Sequence, residues 1–291
     1  MRRYIIMTIK HRLAQLLPDK IYLQIYYRRI FGRKLNLKEP KTFNEKIQWL
    51  KLYDRNPTYS KMVDKYEAKN YVENKIGKEY IIPTLGVWEE FDKINFSELP
   101  NQFVLKTTHD SGGVVIVKDK DKMNLVKTKK IIEDSLNNNY YLQGREWPYK
   151  NVKHRIIAEK YMVDESGYEL KDYKFFCFNG IAKVMFIASD RQNTNEETKF
   201  DFFDMEFNHL PFTNGHPNSN KIIIKPKSFE KMKKLAEILS EGIPQVRIDF
   251  YDINGNIYFG EMTFSHWSGF VPFIPDEWDY RLGSMINLPV K

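Results

Sequence analysis

The spacing of apolar residues divides the chain into a helical beginning and a strand-rich remainder. Residues 4–17 and 19–31 read as two helices separated by Pro18, with Asp19 as the cap of the second and Gly32 as its stop. Thr42 and Glu45 stand at capping-box spacing, and Phe43, Ile47 and Leu50 recur at i, i+4 and i+7, so a third helix runs to Tyr53. Asp64 caps a fourth helix over residues 65–76, which Gly77 ends. From Tyr80 the pattern changes, and apolar runs at 81–82, 86–90, 102–107 and 114–118, bounded by turn residues, read as strands. A helix over 124–137 precedes strands at 155–162, 173–178, 182–188 and 199–203, with Asn179 and Gly180 as a hairpin turn. Residues 229–240 have amphipathic helical spacing, and 245–251 with 256–264 form a last hairpin turned at Asn254 and Gly255. No repeat or low-complexity tract interrupts this, so the pattern predicts one α+β unit behind a helical N-terminal segment.

Composition narrows the class. A chain of 291 residues with 42% hydrophobic and 29% charged residues can bury a substantial core and has no disordered bias. Its one cysteine, Cys177, lies within an apolar strand; an intrachain disulfide and a four-cysteine zinc site are excluded, and the residue reads as core filler in a reducing cytoplasm. Residues 1–34 carry nine Lys or Arg against the single acid Asp19, which equals the whole net charge of +8. The body is thus neutral, and the excess sits in one terminal segment interleaved with Tyr, Ile and Leu, unlike the spread basic face of a nucleic-acid binder. That pattern suits peripheral contact with an anionic membrane, or a solvated helix face packed on the body. No apolar run is long enough to span a bilayer, and residues 4–9 lack a cleavage signature, so neither a spanning nor an exported protein is expected.

Four constellations can carry chemistry. Residues 103–117 place Lys106 on a strand that enters a loop with Ser111, Gly112 and Gly113, where small residues let backbone amides approach phosphate oxygens. Read alone, the same pattern is a tight hairpin, and no Walker loop is present. In residues 247–264, Arg247, Asp249 and Tyr251 alternate onto one strand face, and the turn at Asn254 brings Glu261 beside or close to Asp249. Two carboxylates and an arginine among apolar neighbours suit a magnesium ion bridging phosphates, whereas on an exposed hairpin they would be a surface ion pair. Residues 155–162 form a hydrophobic strand ending in Glu159, Lys160, Tyr161 and Met162, whose edge backbone can read an adenine. Lys65 and Lys69 fall one helical turn apart on one face, which in isolation is a solvated face.

Taken in order, DKYEAK, FVLK with its glycine loop, AEKYM, RIDF and FGEMTF resemble the ATP-grasp superfamily. Residues 41–57, 144–151, 170–180 and 276–284 resemble, within it, the TupA-like ATP-grasp family of bacterial surface polysaccharide gene clusters, so the likeness covers residues 40–289. The resemblance implies an ATP-grasp fold of two α+β subdomains clasping ATP, over residues 61–291 and divided near residue 160, behind a helical segment 1–60. It implies ATP and Mg2+ as cofactors, and an acylphosphate formed from a carboxylate and then displaced by an amine or similar nucleophile. Lys65 or Lys69 and Lys106 would meet phosphates, Ser111, Gly112 and Gly113 would fold over them, and Glu159, Lys160, Tyr161, Met162 and Asp172 would line the nucleotide. Asp249, Glu261 and Thr263 would hold metal, with Thr263 standing where many relatives carry Asn. Arg247, Lys106 and Lys174 would be catalytic, Lys174 reaching in from a neighbouring sheet. His109, Asp190, Arg191, His266 and Ser268 are candidates for substrate contact.

Three rivals stay open at this stage. A sugar kinase would share the γ-phosphate transfer, and a glycosyltransferase of the same pathway would use Asp249 as a metal ligand, although no paired-aspartate metal motif stands near a strand end. A non-enzymatic scaffold recruited to the membrane would leave the acidic hairpin unexplained.

Overall fold

In the computed structural model the described residues are 16–163, 170–190 and 197–290. The helix expected over 4–17 and most of the basic segment fall outside them. Described helices are α1 (Asp19–Phe31), α2 (Phe43–Tyr53), α3 (Thr58–Val63), α4 (Glu67–Ile76), α5 (Leu125–Leu136), α6 (Tyr141–Gly144), α7 (Phe229–Leu239) and α8 (Glu277–Ser284). Strands are β1 (Thr84–Trp88), β2 (Phe103–Thr107), β3 (Val114–Val117), β4 (Ile156–Lys160), β5 (Asp172–Phe178), β6 (Ile181–Ser189), β7 (Lys199–Phe203), β8 (Thr213–Asn214), β9 (Gln245–Ile253), β10 (Asn256–Thr263) and β11 (Phe273–Ile274). They form a four-stranded sheet ordered β1-β4-β2-β3, a five-stranded sheet ordered β10-β9-β5-β6-β7 and the small pair β11-β8, every pairing antiparallel. The α+β class expected from the sequence is what the structure shows.

The five-stranded sheet is buried on both faces, which is why β5 reads as an unbroken apolar run rather than an alternation. Phe175 and Cys177 pack on one side with Ile248, Phe250 and Phe229 of α7. Phe176 and Phe178 pack on the other with Phe43, Ile47 and Trp278. Cys177 is fully buried, and burial pushes its thiol up to about 12, as befits a core residue. Both expected hairpin turns adopt left-handed backbone at two successive residues, Asn179 with Gly180 and Asn254 with Gly255. The smaller sheet has its own core, in which Phe103, Leu105, Ile156 and Ala158 meet Ile132 of α5.

Three local expectations are corrected. Asp19 does not cap α1, which starts after Pro18 with no side-chain cap; its carboxylate instead accepts from Tyr141 Oη at 2.6 Å and Arg55 Nη2 at 3.2 Å. The fourth helix ends at Gly77 and has Asp64 at its start as expected, but it begins at Glu67 and not at Lys65. Asp64 Oδ1 accepts from the Tyr66 and Glu67 amides at 2.8 and 3.2 Å, competing with a continuing helix, so α3 stops at Val63 and α4 begins at Glu67. Lys65 therefore sits in the connection, not one turn from Lys69 on a helix face. Residues 81–82 are not a strand, because the Ile82 carbonyl accepts from Lys69 Nζ at 2.8 Å and Pro83 follows without an amide hydrogen.

The capping box of α2 forms as expected, and α8 adds to it. Asp279 on α8, 2% exposed, accepts from the Asn44 amide at 2.9 Å, placing a carboxylate at the helix N-terminus. This close approach depends on Gly283, where a Cβ would fall 2.2 Å from the Lys41 carbonyl oxygen and 2.6 Å from the Phe43 nitrogen. Backbone at both contacts cannot swing aside. Gly283→Ala should cost about 1–3 kcal/mol, or roughly 3–10 °C of melting temperature. Gly112→Ala, whose Cβ meets nothing nearer than 3.7 Å, should move the melt far less, as thermal denaturation followed by circular dichroism will show.

Candidate active site

The β9–β10 hairpin does not keep simple alternation. Tyr258 pairs with Tyr251 and Phe259 with Phe250, but then Glu261 pairs with Asp249, because Gly260 is bulged out of register. Without the bulge Glu261 would face Ile248 and point into the core. The extra residue instead puts Glu261 and Thr263 on the face of Asp249 and Arg247, and Met262 into the apolar cluster. A glycine suits this position, since a Cβ there would lie 3.1 Å from the Asp249 carbonyl oxygen.

The charged groups form one network. Arg247 donates from Nε to Asp249 Oδ1 and from Nη2 to Oδ2, both at 2.7 Å, a bidentate pair, and Nη2 also reaches Glu261 Oε1 and Thr263 Oγ1 at 3.0 Å. Lys174, on the adjacent β5 and directly opposite Asp249, donates to Asp249 Oδ2. Lys174 thus belongs to the same sheet as the hairpin, and not to a neighbouring one as expected. Burial would raise the Asp249 carboxyl, but Arg247 and Lys174 outweigh it and hold it at about 2. Arg247 Nη1 points at His266 Nδ1 at 2.7 Å. Arginine only donates, so Nδ1 accepts and His266 Nε2–H donates to Asn214 Oδ1 at 2.9 Å. Burial first, then the Arg247 charge, drive the His266 pKa well down, so the ring stands neutral.

A second cluster surrounds Glu159 on β4. Lys69 Nζ and Lys106 Nζ lie 2.6 and 2.7 Å from its two carboxylate oxygens. Burial opposes the charge, but the two ammonium groups win and hold the carboxyl at about 2. Lys69 also donates to the Ile82 carbonyl and Thr84 Oγ1, both at 2.8 Å. Its donors are therefore engaged in fixing Glu159 and the entry to β1. Lys65 donates to the Asp110 carbonyl, and burial lowers its pKa despite Glu261 and Asp110 nearby.

Asp110 organises the glycine loop. Its Oδ1 accepts from Thr107 Oγ1 at 2.5 Å and the Gly113 amide at 3.3 Å, and its Oδ2 accepts from Ser135 Oγ on α5. Gly113 fits only as glycine, a Cβ there falling 2.3 Å from both Thr107 Oγ1 and Ser135 Oγ. The loop is thus anchored at Asp110 and Gly113.

Two cavities meet beside these clusters. One, of about 350 Å3, runs along Lys65, Lys106, Glu159, Lys160, Tyr161 and Met162 and reaches Asp172. The other, of about 580 Å3, is lined by Arg247, Thr263, His266, Ser268, Glu146 and several aromatic rings. Ser111, Lys174 and Glu261 belong to both walls. Gly112, Gly113 and Asp249 line neither, and Lys69 reaches only a crevice beside the smaller cavity.

A magnesium ion takes oxygen ligands, and the donor types here fit one. Glu261, with 40% of its side chain exposed, and Thr263 present oxygens at the cavity wall. Asp249 lies behind them with both oxygens held by cations. Of the residues expected to contact substrate, His266 and Ser268 line the larger cavity, and Arg191 lies outside the described residues. His109 is buried, stacked on His154 at 3.6 Å and bonded to the Ser135 and Asn138 carbonyls, so it supports the loop and does not face a cavity. Asp190 lines a separate surface cavity beside Lys221 at 3.5 Å. No local sequence pattern marks Glu146 or Asn214, which are bonded by residues distant in the chain, or Asp110, whose bonds to Thr107 and Gly113 are local but whose anchor on Ser135 is not.

Comparison with known proteins supplies the family. A family model described as TupA-like ATPgrasp matches residues 45–287. No curated protein matches the sequence. Among solved structures, the D-alanine--D-alanine ligase from Bacillus anthracis complexed with ATP is 16% identical over 70% of this chain and 55% of its own, with a TM-score of 0.44. The D-alanine–D-alanine ligase from Helicobacter pylori is 14% identical over 85% of this chain and 70% of its own, with a TM-score of 0.45. The ATP-grasp ligase PsnB, complexed with minimal precursor, Mg and ADP, is 9% identical over 76% of this chain and 58% of its own, with a TM-score of 0.40. The chain spans about half the length of the first of these. The match to the family model runs through the Lys106 strand, the Glu159 strand and the bulged hairpin alike, and the chain belongs to the TupA-like ATPgrasp family.

Proposed function

We propose that this chain is an ATP-dependent ligase that joins a carboxylate to an amine or similar nucleophile through an acylphosphate. The observation that carries the reading is the meeting of two cavities at Ser111, Lys174 and Glu261, one suited to a nucleotide and the other to the acid and its acceptor. Adenine and ribose would lie along Glu159 to Met162 and Asp172. Lys65 and Lys106 would face the phosphates, with Lys69 positioning Glu159, and the Ser111–Gly113 loop would cover them.

In the first step an oxygen of the acid bonds to the γ-phosphorus as the bond to the bridging oxygen breaks and ADP leaves. Arg247 and Lys174, already oriented by Asp249, would meet the charge that gathers on the transferred group, so little reorganisation would accompany the transfer. In the second step the nucleophile bonds to the acyl carbon and phosphate departs. Glu261 and Thr263 would hold magnesium, with Asp249 behind them fixing Arg247 and Lys174; the ion would supply charge neutralisation along the triphosphate.

The resemblance of residues 41–57, 144–151 and 170–180 supports placing the activity in assembly of a bacterial surface polysaccharide such as capsule, O-antigen or teichuronopeptide. A cytoplasmic enzyme held peripherally at the membrane fits the basic N-terminal segment. On α1, Ile21 and Ile25 are 45% and 54% exposed near Arg28 and Arg29, and no helix among the described residues is long and apolar enough to cross a bilayer.

Calorimetric titration with Mg-ATP should show binding by the wild type and, for Lys106→Ala, affinity reduced about tenfold or more, the worth of one charge-assisted hydrogen bond. Binding unchanged in the variant, or none in the wild type, would defeat the nucleotide reading. Glu261→Gln should raise the magnesium concentration needed for nucleotide binding, with little change in melting temperature because its side chain is partly exposed. The depressed Glu159 and Asp249 carboxyls give stability that is complete above their ordinary values of 4.5 and 3.8 and is lost as pH falls toward 2. Urea denaturation from about pH 6 to about pH 2, the range of carboxylate titration, should accordingly give a flatter profile for Glu159→Gln than for wild type.

A further inference from the structure

The larger cavity holds a carboxylate that the phosphoryl chemistry does not use. Glu146 is 3% exposed yet lines the wall, and among the described residues its one hydrogen bond comes from Ser268 Oγ to Oε1. An ionised carboxylate offers about four acceptor positions, so most of its capacity is open. Lys51 beneath it does not fill that capacity. Its three donors go to Gln48 Oε1 at 3.0 Å, the Gly144 carbonyl at 2.7 Å and the Ser268 carbonyl at 2.5 Å. That ammonium offsets part of the charge of Glu146 without occupying its oxygens.

The backbone around Glu146 is shaped for this arrangement. At Gly144 a Cβ would lie 2.2 Å from Ser268 Oγ and 3.2 Å from Glu146 Oε1, so the Ser268–Glu146 bond needs glycine there. Arg145, Trp267 and Ser268 all adopt left-handed backbone at φ 56°, 49° and 53°, a costly conformation for residues with side chains. Such strain, gathered on both segments that present one polar pair to a cavity, is characteristic of functional sites. The cavity is also bipolar. Arg247 and Lys174 supply positive charge, and Glu146 supplies a buried negative one in the same wall.

We infer that the larger cavity takes a primary amine as the nucleophile, and that Glu146, held by Ser268, binds its ammonium group and accepts its proton. This rests on the ligase reading above and names the acceptor it left open. The proton passes from the ammonium to the Glu146 carboxylate, and the freed nitrogen lone pair forms the C–N bond to the acyl carbon. The C–O bond to phosphate breaks with its electron pair, and the second nitrogen proton leaves with the phosphate as hydrogen phosphate. Phe186, Phe200 and Trp267 in the same wall supply flat apolar faces for the body that carries the amine.

The test is calorimetry on the full chain loaded with Mg-ADP, using D-glucosamine and D-alaninamide, each against its N-acetyl derivative. At least one amine should bind wild type about tenfold or more tightly than its acetylated form, the scale of a buried charge-assisted contact. Glu146→Gln should abolish that preference while leaving Mg-ATP affinity unchanged, and Ser268→Ala should weaken it. An absent preference in wild type, or one that survives Glu146→Gln, overturns the inference. Should Glu146→Gln fail to fold, the wild-type comparison and Ser268→Ala decide. Loss of Mg-ATP binding by the wild type would instead strike the ligase reading, so the two failures are separable.

Discussion

One buried carboxylate, Asp249, holds two cations in place, and the arrangement of the active site follows from that constraint. Removing charges from water is costly, and such a group persists only where the geometry is good and its hydrogen bonds are filled. Arg247 grips both oxygens and Lys174 adds a third contact from the next strand. The chain continues outward from Arg247 through neutral His266 to Asn214, whose amide donates to the Val271 and Pro272 carbonyls at 3.1 and 3.0 Å. An arginine tied at so many points cannot swing. The cost of desolvation yields a rigid positive surface facing the cavity.

This network occupies one part of a sheet face whose remainder is core. Lys174, Phe176 and Phe178 alternate onto the same side of β5, and α2 and α8 cover only the phenylalanines. The uncovered part becomes the larger cavity. Its floor is therefore as rigid as the core beside it, while the glycine loop above is anchored through Asp110 to α5 and leaves Ser111 projecting to both cavities. Rigid floor and narrow tip suit a site that must align two reactants across a phosphoryl group.

The small sheet repeats the theme with the same arrangement of charge. There one carboxylate, Glu159, sits between Lys69 and Lys106, so both sheets present lysines whose positions are set by a buried acid. Lys65 reaches the cleft from the break between α3 and α4, a break made by the Asp64 side chain capturing two amides that a continuous helix would have used otherwise.

Local chemistry written in the sequence determined much of this protein: the strand alternation, the Asn-Gly turns, the capping box of α2 and the residue types of the hairpin all depend on near neighbours. The order of motifs along the chain likewise pointed to the family. Tertiary structure alone decided which of those residues meet. The apolar positions change parity between Phe259 and Met262, but only the pairing with β9 decides that Gly260 is the bulged residue and that Glu261 and Thr263 turn toward Asp249. Nor can the apolar pattern reveal that Glu146 and Ser268, on distant segments, meet in one cavity wall with Lys51 bonded to the Ser268 carbonyl, that His109 turns inward, or that Asp249 lies behind its cations. Those outcomes rest on packing between elements far apart in the chain, where burial and shared hydrogen bonds set positions that no local spacing encodes.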